Sequence, residues 1–99
     1  MILEVVTLRL KPDTEAAYEQ ALREAARDYL SRARGYVRHE LHRCHETPRK
    51  YLLFICWESI EDHMVGFRQS ELYQGWRAKL HPFYDGTLEV EHYHAVDLS

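Results

Sequence analysis

The chain has 99 residues and a formal net charge of −3 at pH 7. A chain this short buries only about 60 to 70% of the surface its unfolded form exposes, which excludes a second core, so residues 1–99 are expected to form a single domain. Lysine and arginine are scattered along the chain instead of massed on one segment, so no electrostatic footprint for nucleic acid is present.

Ile2 to Leu10 is rich in Val, Ile and Leu and halts at Lys11-Pro12-Asp13, because proline cannot continue a ladder and holds its predecessor extended. This is the first predicted strand. No basic segment, apolar run and small-residue cleavage site precede it, and a cytoplasmic location is the default expectation. Asp13 or Thr14 is placed to cap a helix over Thr14 to Arg34, in which Tyr18, Leu22, Ala25, Tyr29 and Ala33 recur at helical spacing until Gly35. Tyr36 to Cys44 alternates Val37, His39 and Leu41 with Arg38, Glu40 and His42, as an outer strand with mixed faces does. The polar turn His45-Glu46-Thr47-Pro48-Arg49 leads into Tyr51 to Trp57, which is apolar on both faces.

If these two strands pair about a loop near Thr47, Cys44 and Cys56 sit about six positions out of register, roughly 20 Å apart, too far for a disulfide. Free thiols in a reducing compartment are expected. The longest apolar runs are strand-length, far below the roughly 18 to 20 residues needed to cross a bilayer, so no membrane span is expected.

Ser59-Ile60-Glu61-Asp62 has capping-box form and opens a short helix with Ile60, His63, Met64 and Phe67 on one stripe. Ser70 caps the next helix, whose buried stripe is Leu72, Trp76, Leu80 and Phe83, bordered by Tyr73 and Arg77. Leu88 to Val96 forms the last strand, with Val90, His92 and His94 on one side and Glu91, Tyr93 and Ala95 on the other.

The order of elements matches an α+β, ferredoxin-like split βαββαβ unit with a four-stranded antiparallel sheet and helices on one face. A solvated second face should be polar, yet Leu52, Phe54 and Cys56 lie there. Leaving the two large side chains in water forfeits roughly 1.5 to 3 kcal/mol each, so the sheet of a second copy is the expected cover. On the helix side, Tyr51, Leu53, Ile55 and Trp57 with His63 and Arg77 suggest an apolar pocket with a few convergent polar groups, as small-molecule sites have. A hydrogen-bonded core histidine and a snorkelling arginine explain the same residues without a ligand.

At these positions the chain resembles the antibiotic biosynthesis monooxygenase domains, a family that includes quinol-oxidising enzymes. The carriers are Lys11-Pro12, Gly35-Tyr36 through Leu41-His42-Arg43, Trp57-Glu58-Ser59, Ser70-x-x-Tyr73-x-x-Trp76-Arg77 and Val90-Glu91-His92-Tyr93, spread over nearly the whole chain. The resemblance implies a dimeric α+β barrel, a homodimer whose sheets pack face to face. It further implies a cofactor-independent monooxygenase that oxidises a small aromatic phenol or hydroquinone with O2 in a pocket between sheet and helices. Such a protein supplies a dry pocket, a base and groups that favour the phenolate. By resemblance Trp57 holds the substrate, Arg77 stabilises the phenolate, His63 is the base, its unperturbed pKa near 6.5 suiting the task, and His42 is a further proton-handling histidine. Leu53, Phe67, Tyr73 and Trp76 are the expected substrate-binding wall.

Two features depart from the family pattern. Active members carry a pocket asparagine, and this chain has none, with Leu53 at the strand-three position. The hairpin is one residue longer, and strict alternation around it turns His42 to the opposite face and His39 toward the pocket. The haem-degrading relatives have a pocket histidine where Arg77 stands, so no haem is expected, and no other cofactor. The rival reading is a non-catalytic small-molecule-binding dimer, a sensor or carrier. His92 and His94 lie two apart on one side of a strand but supply only half a metal site with no acid beside them, so no metal is expected.

Overall fold

Ile2, Val6 and Leu8, with Glu4 among them, set the inward face of β1 (Ile2–Arg9) and are buried in the computed structural model, which describes residues 1–99. Beside it runs β3 (Lys50–Trp57), with Tyr51, Leu53, Ile55 and Trp57 on the same face. β2 (Tyr36–Arg43) adds to the far edge of β3, and β4 (Glu89–Tyr93) to the far edge of β1, giving the antiparallel order β2-β3-β1-β4. This is the α+β, ferredoxin-like sheet that the order of elements implied.

Helices α1 (Glu15–Asp28) and α2 (Glu71–Leu80) cover one face of that sheet, burying Tyr18, Leu22 and Ala25 from the first and Trp76 and Leu80 from the second. They meet where the ring of Tyr29 lies against Gly75, a place any Cβ would block. Ser70 caps α2 as its pattern implied, its hydroxyl oxygen accepting from the Tyr73 N–H at 3.3 Å. No helix is long and apolar enough to cross a membrane. Cys44 lies opposite Lys50 and Cys56 opposite Arg38, six residues apart along β3, and both thiols are free.

Local chemistry moves several boundaries. α1 stops at Asp28, short of Arg34, because a tighter 3-10 turn over Leu30–Arg32 buries Leu30 completely, and Gly35 (φ 84°) then swings the chain into β2. Thr14 does not cap α1 with its side chain: the hydroxyl donates to the Lys11 carbonyl at 2.7 Å. Ser59 does accept from the Asp62 N–H at 3.1 Å, but the segment that follows is a π-helix over Asp62–Phe67, with the Arg68 N–H reaching back five residues to the His63 carbonyl. The wider turn keeps His63 and Phe67 inside and leaves Ile60 and Met64 41% and 42% exposed, off the predicted stripe. β4 ends at Tyr93 instead of Val96 because Tyr93 pairs with Leu3, and β1 offers only Ile2 beyond that point.

A bulge between Tyr36 and Arg38 inserts Val37 as an unpaired residue, and every β2 side chain beyond it changes face. His39, Leu41 and Arg43 therefore oppose the inward residues Ile55, Leu53 and Tyr51, while Glu40 and His42 oppose Phe54 and Leu52 on the face without helices. There Leu3, Val5, Leu52 and Phe54 stay partly exposed.

Candidate functional site

Glu4 shares the inward face of β1 with Ile2 and Val6 and is only 5% exposed. An ionised carboxylate in that position must be bonded or paired to be tolerated. Its Oε1 accepts the indole N–H of Trp57 at 2.9 Å and lies 3.3 Å from Nε2 of His63. The His63 imidazole stacks on the Trp57 indole, centroids 5.2 Å apart and planes 18° apart, and its Nδ1 is hydrogen-bonded to Nε2 of His92 at 2.8 Å. His92 stands directly across from Glu4 in the β1–β4 register, so three strands and the π-helical segment converge on one group of titratable side chains.

Burial pushes the Glu4 carboxyl up to about 7, against the opposing pull of the Trp57 hydrogen bond and the Arg68 charge. The same burial, with the neighbouring His92 and Arg68 adding to it, pushes the His63 imidazole down to about 4. At neutral pH the pair therefore combines a neutral imidazole with a carboxyl poised between its two forms. Arg68 takes part in no ion pair and lies over the Tyr73 ring at 5.4 Å.

Between the sheet and the helices lies an inner chamber of about 60 Å³, walled by Glu4, Val6, Leu53, Ile55 and Phe67. It continues into an outer cleft of about 410 Å³, the two spaces sharing Arg68, Tyr73, Trp76, Tyr84, Leu88 and Val90. The Tyr84 hydroxyl is hydrogen-bonded to that of Tyr18 at 3.0 Å, and burial pushes its pKa up to about 12, which keeps it protonated. The inner chamber is mostly apolar, with the Glu4 carboxyl at its inner end, the Arg68 guanidinium at the junction and the Tyr73 and Tyr84 side chains on its wall, and Arg77, His81 and Thr87 are added in the outer cleft.

The residues singled out from sequence divide into three groups. Leu53, Phe67, Tyr73 and Trp76 all line the inner chamber, and Trp57 and His63 stand together behind Glu4. Arg77 is exposed and borders only the outer cleft, and Arg68, exposed as well, is the arginine that also borders the inner chamber. His42 lies on the opposite face of the sheet, its side chain 59% exposed, 3.1 Å from Glu40 and edge-on to Phe54, because the bulge reversed the strand beyond Val37. His39 takes a hydrogen bond with the Tyr36 hydroxyl at 2.6 Å and does not border the chamber. No group of three or more His, Cys, Asp or Glu side chains is placed to hold a metal ion.

Sequence reasoning missed Glu4, Arg68, Tyr84 and the part played by His92. Glu4 did leave a signal, as a charge at the parity of Ile2, Val6 and Leu8 within an apolar strand. Arg68 left none, since a charge at the end of a short helix is ordinarily a solvated one.

Comparison with known proteins agrees with this architecture. The profile of a family described as antibiotic biosynthesis monooxygenase matches residues 1–79. The Bacillus subtilis protein YczJ is 44% identical over 96 residues, covering 97% of this chain and all of that protein. A Bordetella bronchiseptica crystal structure bearing the family's name superposes with a TM-score of 0.90 at 35% identity, over 96% of each chain. SnoaB of Streptomyces nogalater, described as a cofactor-independent oxygenase, shares the fold with a TM-score of 0.78 at 19% identity, over 97% of this chain and 93% of its own. On the strength of the matched profile and the two closely similar sequences, this chain belongs to the antibiotic biosynthesis monooxygenase family.

Proposed function

We propose that the chain is a cofactor-independent monooxygenase for small phenols or hydroquinones, with Glu4 as the base that ionises the substrate. The observation that carries this reading is a single poised carboxyl on the wall of a mostly apolar chamber, one oxygen held by Trp57 and the other free to meet a hydroxyl. A base is most effective when its pKa lies near the working pH. The aromatic ring lies along Tyr73, Trp76 and Phe67, with the bulk of a larger substrate in the outer cleft. Glu4 takes the phenolic proton and Arg68 favours the resulting phenolate. The phenolate passes one electron to O2, and the two radicals join in a new C–O bond on the ring. The peroxide takes up a proton and breaks its O–O bond as the ring C–H proton leaves, so that phenol and O2 yield quinone and water. SnoaB, described as a cofactor-independent oxygenase, is a precedent for such chemistry on this fold.

Trp57 and His63 act behind the carboxyl in this reading, as positioning residues, and Arg77 guides the substrate at the mouth of the cleft. Aerobic incubation with a panel of hydroquinones and naphthols tests it. Oxygen uptake is expected, reduced on the order of 100-fold or more in Glu4→Gln and to a smaller extent in Trp57→Phe. Saturable binding with no uptake by the wild type overturns it in favour of a sensor or carrier.

The working unit we infer is a single domain, residues 1–99, paired with a second copy through the face without helices. What supports this is a shallow depression of about 320 Å³ on that face, lined by Leu3, Leu52, Phe54 and Cys56 among Arg38, Glu40 and His42. Two free thiols fit a reducing compartment, the cytoplasm.

A further inference from the structure

Glu4, His63 and His92 stand in line from the chamber wall to the edge of the sheet. Glu4 and His63 are 5% and 3% exposed, whereas His92, on edge strand β4, is partly exposed. Both ring nitrogens of His63 are engaged, Nε2 toward the carboxyl and Nδ1 toward His92. An imidazole met on both sides by titratable groups gains a proton at one nitrogen while losing one at the other.

We propose that Glu4, His63 and His92 form a proton relay between the chamber and solvent, an inference that rests on reading the chamber as the site of a proton-coupled oxidation. Outward, the carboxyl of protonated Glu4 turns to bring the proton taken up at its free oxygen to Nε2 of His63 while the other oxygen accepts from the Trp57 N–H, and the O–H bond breaks as His63 gains the proton at Nε2. The Nδ1–H bond of His63 breaks as His92 gains a proton at Nε2, and His92 releases the proton from its other nitrogen to water or buffer. No electron moves in these steps. The inward direction supplies the proton that the peroxide consumes.

Glu4 Oε1 and His63 Nε2 are 3.3 Å apart, within hydrogen-bond distance but not aligned as a hydrogen bond, and catalytic contacts of this kind tighten in the substrate complex. The other groups facing this line are the Trp57 N–H, the Arg68 guanidinium and, across the chamber, the Tyr84 hydroxyl held by Tyr18. None of these offers Glu4 another route to solvent, since the Trp57 N–H is a donor only and the Tyr84 hydroxyl stays protonated.

The relay makes a structural prediction for the resting protein. With Glu4 ionised, its Oε1 favours the proton on Nε2 of His63 and leaves Nδ1 to accept from His92. With Glu4 protonated, Nε2 accepts and Nδ1–H donates to His92.

Nitrogen-15 NMR of histidine-labelled protein, without substrate, reads this directly. As pH falls through about 7, where Glu4 titrates, the proton-bearing nitrogen of His63 is expected to change from Nε2 to Nδ1, with His92 following, and Glu4→Gln is expected to abolish the change. One tautomer held by His63 across roughly pH 5 to 9 overturns the relay. In turnover, His92→Gln is expected to lower kcat on the order of tenfold or more with KM unchanged, and added imidazole to restore part of it. A His92→Gln kcat equal to that of the wild type also overturns it. Failure to find any oxidised phenol defeats the monooxygenase reading and leaves the tautomer measurement standing.

Discussion

Leu52 and Leu53 are neighbours in β3 that face opposite ways. Leu53 is 2% exposed and lines the inner chamber, and Leu52 is only partly covered on the other face. His63 and His42 repeat the contrast. His63 is sealed between Trp57, Glu4 and His92, and burial holds it neutral near neutral pH; His42 projects from the other face with only an exposed partner, Glu40. The same strands build both faces, but one is roofed by helices of its own chain and the other is not. Where a roof exists, polar groups are tolerated only in mutually satisfied sets, and such a set is what a reaction site requires. Where none exists, hydrocarbon is left for another surface to cover.

The sharpest way to break that contrast is to truncate the two leucines. Leu53→Ala is expected to cost about 2 to 5 kcal/mol in denaturant unfolding. Leu52→Ala in dilute protein is expected to cost about 1 kcal/mol, rising toward the Leu53 value as concentration increases and the open face is covered. Equal costs at every concentration would show that the two faces are not differently roofed.

Phe54→Glu places a charge at the centre of the open face and is expected to yield single copies by sedimentation at micromolar concentration, where the wild type is expected to sediment as a pair. A wild type that runs as single copies there removes the dimer.

On the roofed face the predictions concern pH. Glu4 is raised to about 7 from an ordinary 4.5, so the folded state holds the extra proton and stability falls as pH rises from 4.5 to 7. His63 is depressed to about 4 from 6.5, so the unfolded state holds the extra proton and stability falls as pH drops from 6.5 to 4. The two slopes oppose each other, each at most about 1.4 kcal/mol per pH unit, and the wild type is expected to be nearly flat between 4.5 and 6.5. Glu4→Gln should then gain stability with rising pH in that window, and His63→Gln should lose it. Identical pH profiles for the two variants would show that these groups do not titrate as their burial requires.

The smallest effect belongs to His42. His42→Ala is expected to change stability by no more than about 0.5 kcal/mol and to leave oxygen uptake unchanged, since an exposed pair contributes little. A loss of uptake comparable to that of Glu4→Gln would return this histidine to the chemistry.

Much of this was legible before the fold was known. The strands, the two principal helices, the Ser70 cap and the four chamber-lining residues Leu53, Phe67, Tyr73 and Trp76 follow from spacing, because side chains alternate along a strand and recur along a helix by local geometry alone. His42 entered the site by resemblance alone, whereas alternation around the longer hairpin already turned it to the other face, and the unpaired Val37 is where β2 absorbs that shift. The π-helical turn was hidden, because Ser59 and Asp62 announce a helix start without stating its pitch.

Residue order alone was enough to say which side chains share a face, for that depends only on each residue's own backbone and its nearest neighbours. It took the folded chain to bring Glu4, Trp57, His63 and His92 within reach of one another. That meeting depends on the register of β1 against both β3 and β4 and on the width of a single helical turn, and hydrogen bonds between distant segments set all three.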